Sequence, residues 1–355
     1  MTDRVFDPAP LPEEDARLAA DLPPGTGPEI EIESTLRPQR FEEFVGQERV
    51  LSNLRVAIAA ARERGDALEH VLFSGPPGLG KTSLARILAR EMGTRPFATS
   101  GPALERPRDL VGILTQLEKG DVLFVDEVHR VPANVEEYLY SAMEDFKVDF
   151  TLDQGPHARI LPLTIAPFTL VGATTREGLL SAPFRSRFGI AERLEPYPPS
   201  DLVRIIARSS QILGIGIAPA AAQLLAERAR GTPRIANRFL RRARDLAQVS
   251  GRKKIGEELA HAALERMGVD GNGLEELDRR ILRCLAQNLG VPVGIKTIAA
   301  AVGEAEDTIE EVFEPHLLRG GFLQKTARGR VVTKRGCTAI GVDPGQVAGA
   351  TGMLF

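Results

Sequence analysis

Gly75-Pro-Pro-Gly78-Leu-Gly80-Lys81-Thr82-Ser83 satisfies the pattern G-x-x-x-x-G-K-[ST], with Gly75, Gly80, Lys81 and Thr82 at the fixed positions. Before it, His70-Val-Leu-Phe-Ser74 is a short apolar run that reads as a buried parallel strand. After it, Leu84-Ala-Arg-Ile87-Leu88-Ala-Arg-Glu-Met92 spaces its apolar residues as on one face of a helix. Strand, glycine loop and helix form a cradle in which backbone N–H groups and a helix N-terminus meet a polyphosphate. A Gly/Pro turn that ended in Lys-Thr by chance would lack those flanks. The expected fold class is α/β, a P-loop domain built on a parallel sheet.

Downstream, Asp121-Val-Leu-Phe-Val125-Asp126-Glu127 is an apolar strand that ends in two acids. Carboxylates at the C-terminal end of a buried strand stand where a nucleotide-bound Mg²⁺ must be held. In that role Asp126 organises the metal's water shell and Glu127 polarises the attacking water. Lys147 to Ile160 alternates apolar and polar residues around Gly155-Pro156, the pattern of a hairpin inserted into the α/β order. Val148, Phe150, Leu152, Ile160 and Leu163 would give it an exposed apolar face for docking a partner, the alternative being a plain excursion at the sheet edge. Phe168 to Arg176 is a further buried strand, ending in Thr174 and Thr175. Thr175 is placed to meet a water or the γ-phosphate, or simply to cap a helix. Arg185 and Arg187 follow on a short polar turn.

After Pro196-Tyr197-Pro198-Pro199 the composition changes, and 200–213, 217–230, 233–250 and 255–267 are helical patterns with no strands. Thr232 is expected to cap a helix with Pro233 in its first turn. Arg234 on that turn opposes the helix dipole, so an anion is expected near it, a nucleotide or a carboxylate. A Gly-rich break at 270–273 opens a last unit of three helices (275–289, 295–302, 305–318) and a two-stranded hairpin, a winged-helix pattern. The third helix carries Glu304, Glu306, Asp307, Glu310, Glu311 and Glu314, which phosphates would repel. Between 317 and 336, by contrast, Arg319, Lys325, Arg328, Arg330, Lys334 and Arg335 stand with no acid among them. DNA bound here would be held by the wing, through phosphates or the minor groove, with little reading of base sequence. A solubilising surface hairpin would carry the same residues.

The net charge of −3 rules out a polycation, so any nucleic-acid surface is a local patch. Two cysteines, Cys284 and Cys337, are too few for a disulfide framework or a zinc module and fit a reducing compartment. No apolar run approaches the ~18 residues of a membrane span, and no export signal begins the chain, so a cytoplasmic protein is expected. The boundaries that follow are a disordered Pro-rich leader over 1–30, a large α/β domain over 31–199, a small helical domain over 200–270, a winged-helix domain over 271–340 and a flexible tail over 341–355.

These segments resemble the AAA+ ATPases, and more narrowly the RuvB family of Holliday-junction branch-migration motors. The stretches that carry the likeness are Gly75 to Ser83, Thr99 to Pro102, Asp121 to Arg130, Gly172 to Arg176, Arg187 to Ile190, Gly231 to Arg238 and Gly321 to Arg330. The first and third are general to the superfamily, and the last two are the most selective. The resemblance implies an AAA+ large domain, a helical lid and a winged helix, with ATP or ADP and Mg²⁺ as ligands. Lys81, Thr82, Asp126, Glu127 and Thr175 then take the phosphate, metal, water-activating and first-sensor roles, with Thr82 and Asp126 at the metal. Arg187 becomes an arginine finger for a neighbouring subunit and Arg234 the second sensor. Leu36, Arg37, Gly78, Gly80, Ser83 and Tyr197 are similar to residues that line the nucleotide pocket, with Val45 and Gly46 nearby.

The same likeness makes the 147–165 hairpin, through Val148, Phe150, Leu152 and Ile160, a dock for the junction-binding partner RuvA. Lys325, Arg328, Arg330 and Arg335 fall on the DNA-tracking wing. At Lys325 arginine is more usual, so charge is kept and a bidentate grip is not. The implied protein is a ring, six-membered, that drives duplex DNA at four-way junctions in recombination and repair, with a RuvC-type resolvase nearby and no membrane. A clamp-loader ATPase would end in a helical collar instead of a wing, and an initiator would hold DNA without turnover.

Overall fold

An apolar strand with no polar alternation must be covered on both faces, and Val71–Ser74 is buried along its whole length. It is the centre of the first of two compact units in this computed structural model, which describes residues 35–151, 160–288 and 290–343. The first unit takes in residues 35–44, 49–74 and 81–193, and the second 45–48, 75–80 and 194–343. The phosphate-loop pattern is thus divided, its glycines belonging to the second unit and Lys81 onward to the first. The expected leader over 1–30, the tail beyond 343 and Leu152 lie outside the described residues.

The first unit runs α1 (Glu48–Arg64), β1 (Val71–Ser74), α2 (Lys81–Met92), β2 (Pro96–Ser100), α3 (Pro107–Leu114), β3 (Val122–Asp126) and α4 (Ala133–Glu144). It continues with β4 (Lys147–Thr151), β5 (Ile160–Thr164), β6 (Thr169–Thr174), α5 (Ala182–Arg185) and β7 (Ile190–Arg193). Five strands pair in parallel in the order β2-β3-β6-β1-β7. Ser74 lies opposite Thr174 and Ser100 opposite Asp126, so four strands end along one edge. Ligands of open α/β sheets bind at that carboxyl edge. The stripe Val50, Leu51, Leu54, Ile58 and Ala61 buries one face of α1.

Strands β4 and β5 form the expected hairpin, with Val148 opposite Leu163 and Phe150 opposite Leu161. The docking assignment needs correction at Val148, which is 1% exposed and part of the hydrophobic core with Phe168 and Met143. Phe150 and Leu163 also pack against that core, whereas Leu161 is 43% exposed. Among the described residues this one face is thus buried at Val148 and exposed at Leu161, so alternation alone overstates the free apolar surface.

The second unit holds α6 (Pro199–Ile212), β8 (Gly216–Ile217), α7 (Pro219–Arg228), α8 (Pro233–Val249), β9 (Lys254–Ile255) and α9 (Glu257–Arg266). The segment was expected to be strandless, but β8 and β9 form a short parallel pair, too brief to give a period-2 signal. Thr232 stands at the N-cap of α8 without accepting a side-chain cap bond. Then come α10 (Glu276–Ala286), α11 (Ile295–Val302), α12 (Glu306–Thr308), a π-turn at Ile309–Phe313, α13 (Glu314–Arg319), β10 (Leu323–Thr326), β11 (Gly329–Val332) and α14 (Lys334–Ala339). Ile281, Leu285, Ile298, Leu317 and Phe322 form the core of this winged helix. The short α14 was not anticipated, and it is capped by Thr333, whose hydroxyl accepts from Gly336 N–H at 3.1 Å.

Arg330 is buried instead of facing solvent, which corrects its assignment as a DNA contact. Its Nε and Nη2 donate to Glu314 at 3.0 and 2.9 Å, and Nη2 also donates to Glu310 at 2.5 Å. Residues alternate across β11, so Arg330 faces α13 while Arg328, in the turn before it, remains exposed. Removing one partner of a buried pair leaves an uncompensated charge, costing roughly 3–5 kcal/mol. Arg330→Ala is therefore expected to lower thermal stability clearly, and Arg328→Ala to leave it nearly unchanged, as read by calorimetry.

Candidate functional site

In the first unit the site grows from the ends of β3 and β6 and the start of α2. Lys81 is the first residue of α2 and is buried. Asp126 closes β3, and its Oδ1 accepts the Glu127 backbone N–H at 2.9 Å. Burial pushes the Asp126 carboxyl above its ordinary range, while the Glu127 N–H and the charges of Lys81 and Arg37 pull it down. Arg37, Lys81, Asp126 and Glu127 are thus brought together, as the sequence implied. Leu36 is buried, so its contribution is packing.

Glu127 adopts the left-handed conformation, φ 47° and ψ 45°, rare for a side chain of this size. That strain turns the carboxylate off the strand direction, and Arg130 Nη1 donates to it at 2.9 Å. Both groups are exposed, so the pair contributes only about 0–1 kcal/mol and leaves Glu127 free to turn. At the end of β6, Thr174 Oγ1 accepts from Arg176 N–H at 3.0 Å and lies 2.9 Å from His129 Nδ1. This ties the sensor strand to the turn that carries Glu127, and places Thr175 as the half-buried residue just beyond.

Arg187 lies away from these groups in sequence and is held by its own surroundings. Its Nη1 donates to Pro183 O and its Nη2 to Glu144 Oε2, both at 2.7 Å. The guanidinium lies 4.7 Å from the centre of the Tyr140 ring, a cation–π distance. The Tyr140 hydroxyl in turn contacts Glu136 and lies 2.7 Å from Ser181 Oγ, which caps α5. The partners Tyr140, Glu144, His129 and Arg130 were not foreseen. Only Glu127 and Arg130 had a local signal, their spacing of three residues.

In the second unit the glycine loop packs on residues far along the chain. Tyr197 donates its hydroxyl to Leu79 O at 3.1 Å, and burial pushes its phenol well above the ordinary range. Gly78 has φ +79°, and a Cβ there would lie 2.8 Å from Thr232 Cγ2 and 3.0 Å from Arg234 Cβ. Thr232 therefore packs on the loop with its methyl, which accounts for the missing cap. Tyr197 and Arg234, both assigned from sequence to the nucleotide, thus pack on the glycine loop at Leu79 and Gly78.

The donor set suits a divalent cation held jointly with a nucleotide. Among the described residues no cluster of three His, Cys, Asp or Glu could hold a metal alone. One half-buried carboxylate, Asp126, and the hydroxyl of Thr82 leave the remaining positions to phosphates and water, as Mg²⁺ sites of this type require.

Comparison with known proteins agrees along the described chain. Residues 36–194 match the Holliday junction DNA helicase RuvB P-loop domain, 197–270 the RuvB AAA lid domain and 271–341 the RuvB C-terminal winged helix domain. The Holliday junction branch migration complex subunit RuvB of Chlorobium luteolum is 58% identical over 308 residues, 86% of this chain and 90% of that protein. The subunit of the same name from Myxococcus xanthus is 56% identical over 308 residues, again 86% and 90%. The Thermotoga maritima RuvB Holliday junction branch migration motor superposes with a TM-score of 0.80 at 46% identity, over 87% of this chain and 99% of that one.

The raised Asp126 carboxyl has a consequence for stability. A carboxyl whose proton is held more tightly in the folded than in the unfolded state makes ionisation a cost of folding, present above the unfolded value of ~3.9. Asp126→Asn keeps the acceptor for Glu127 N–H and removes that cost. The ligand-free variant is expected to melt higher than the parent at pH 7, with the difference vanishing as pH falls below about 4. Urea unfolding across that range checks the sign.

Proposed function

The chain belongs to the RuvB family of Holliday junction branch-migration ATPases, and from that premise we propose how its residues perform the work. It is a P-loop AAA+ motor that hydrolyses ATP to migrate Holliday junctions. The observation that carries the site assignment is the half-buried Asp126 at the end of β3, under the charge of Lys81 and accepting the backbone N–H of a left-handed Glu127.

The loop N–H groups and Lys81 bind the β- and γ-phosphates. Asp126 and the Thr82 hydroxyl would hold a Mg²⁺ ion, which would supply charge neutralisation for the phosphates. Glu127 swings from Arg130 to orient the attacking water, and Thr175, behind the Thr174–His129 link, reports on the γ-phosphate. Within the second unit, Tyr197 and Arg234 hold the glycine loop in shape for the phosphates. Arg187 leaves Glu144 and reaches the nucleotide of a neighbouring subunit in a ring, proposed to have six members. Supporting this, Glu144 is exposed and its pair with Arg187 can be exchanged for a phosphate at little cost.

Lys325, Arg328 and Arg335 are exposed on and beside the wing and supply its phosphate contacts. Leu161, with Phe150 beneath it, is the part of the hairpin suited to a RuvA-type partner, and a RuvC-type resolvase would act on the same junction in the cytoplasm. No helix among the described residues is long and apolar enough to cross a membrane.

An arginine finger contributes on the order of 10³-fold or more to hydrolysis and little to binding. Arg187→Ala is expected to keep its ATP affinity and lose turnover by that factor. Mixing it with Glu127→Gln protomers should restore part of the activity, since each such pair supplies one intact site. Loss of ATP binding in Arg187→Ala would remove the assignment. For the wing, each phosphate contact contributes about 0.9 to the salt slope of DNA binding. Arg328→Ala should lower that slope by about one contact while Arg330→Ala leaves it unchanged. ATP-driven unwinding of a synthetic four-way junction with the RuvA-type partner tests the motor itself.

A further inference from the structure

Inside the second unit a continuous chain of contacts leads from the glycine loop to the winged helix. It begins at Leu79 O, which accepts the Tyr197 hydroxyl at 3.1 Å. Tyr197 N–H donates to Gly231 O at 2.9 Å. Gly231 has φ +73°, and a Cβ there would lie 2.9 Å from Pro196 Cβ, so this crossing tolerates only glycine. The residue before it, Arg230, has φ 58°, a left-handed arginine that keeps its place against backbone strain.

Arg230 then crosses into the winged helix. Its side chain is 4% exposed and that of Asp278, on α10, is 0% exposed. Arg230 Nη2 donates to Asp278 Oδ2 at 2.6 Å and Nε to Gly273 O at 2.9 Å. From α13, Arg319 Nη2 donates to Arg230 O at 3.0 Å. Burial lifts the Asp278 carboxyl to about 6, and the charge of Arg230 pulls against that rise.

The Gly-rich break at 270–273 is equally tied. Asp270 Oδ1 accepts Asn272 and Leu274 N–H at 2.8 and 2.9 Å, and Arg279 donates to Leu274 O and Gly268 O at 2.8 Å. The lid and the winged helix therefore meet through an ordered junction, not a swivel. A buried ion pair adds little stability over an apolar pair of the same volume, and its best-attested use is to fix one geometry.

We propose that Arg230 is a positioning residue that couples the glycine loop to the wing through the path Leu79–Tyr197–Gly231, the Arg230–Asp278 pair and Arg319, so that nucleotide state sets the grip on DNA. The proposal rests on the wing being the DNA contact. It predicts that the coupling is lost when the strut is cut, with the nucleotide site and the wing surface untouched.

The test measures duplex affinity at fixed salt with ADP and with a non-hydrolysable ATP analogue. Allosteric coupling of typical size separates the two dissociation constants by about 5- to 150-fold in the parent. The double variant Arg230→Met, Asp278→Asn removes the ion pair while the amide oxygen at 278 still accepts the Glu275 N–H that caps α10. It is expected to bring the ratio near one while ATP affinity and melting temperature stay close to the parent's. Arg319→Gln, which alters only the last contact, should lower the ratio partway and serves if the double variant folds poorly. A purely structural pair would change melting and leave the ratio alone. Unchanged ratios in folded variants, or a parent with no nucleotide-dependent ratio, overturn the proposal. Failure of the functional reading looks different, as a parent with no ATP-driven junction unwinding.

Discussion

Putting a carboxylate at the end of a fully buried strand is costly, and much of the first unit serves to make that cost tolerable. β3 buries Val122 to Val125 between layers, so Asp126 emerges only at its last residue. Burial raises its carboxyl, and the opposing influences are a backbone N–H one residue on and two cations, Lys81 and Arg37, from segments distant in sequence. Neither cation can act unless the parallel register brings the carboxyl ends of β1, β6 and β3 to one edge. The same edge forces the chain into the left-handed turn at Glu127. Asp126, Glu127 and Lys81 thus gather under one constraint, that charge collects where an apolar sheet stops.

What the sequence made legible follows the range of the forces involved. The phosphate loop, the strand-end acids, helix α1, the hairpin and the winged-helix order are written in runs of about ten residues, where periodicity and turn chemistry act. The departures all concern partners that local patterns cannot see. Val148 alternates correctly for a hairpin, yet its face lies on the core. Thr232 occupies a cap position, yet its methyl is drawn to Gly78. Tyr140 and Glu144, which hold Arg187, are 47 and 43 residues upstream of it and share no motif with it.

The surroundings of Arg187 suit the proposed role of a group that acts on a neighbouring subunit. Two of its donors are occupied at 2.7 Å and its face is covered by Tyr140, so a lone protomer keeps the guanidinium pointed at its own α4 and α5. None of these contacts is buried deeply enough to resist a triphosphate, whose charge exceeds that of a single carboxylate. Strong attraction to a neighbour's γ-phosphate combined with weak retention at home is the balance a trans-acting group needs.

Charge on the winged helix shows a further division of labour. Six acids on 304–314 argued that this segment could not lie against DNA, and two of them, Glu310 and Glu314, turn inward to Arg330. Lys325 lies 3.6 Å from the same two carboxylates, so its ammonium is shared between the acids and solvent. The cations are therefore graded: Arg330 is fixed inside, Lys325 is tethered at the edge, Arg335 lies over the Phe322 ring at 4.9 Å, and Arg328 is exposed in the turn. Lysine suits the middle position, because a point charge can keep both acids at long range while remaining accessible to a phosphate. A bidentate arginine at 325 would favour the carboxylates more strongly and withdraw from DNA. Two of the acids that argued against nucleic acid instead pair within the domain, with Arg330 and Lys325.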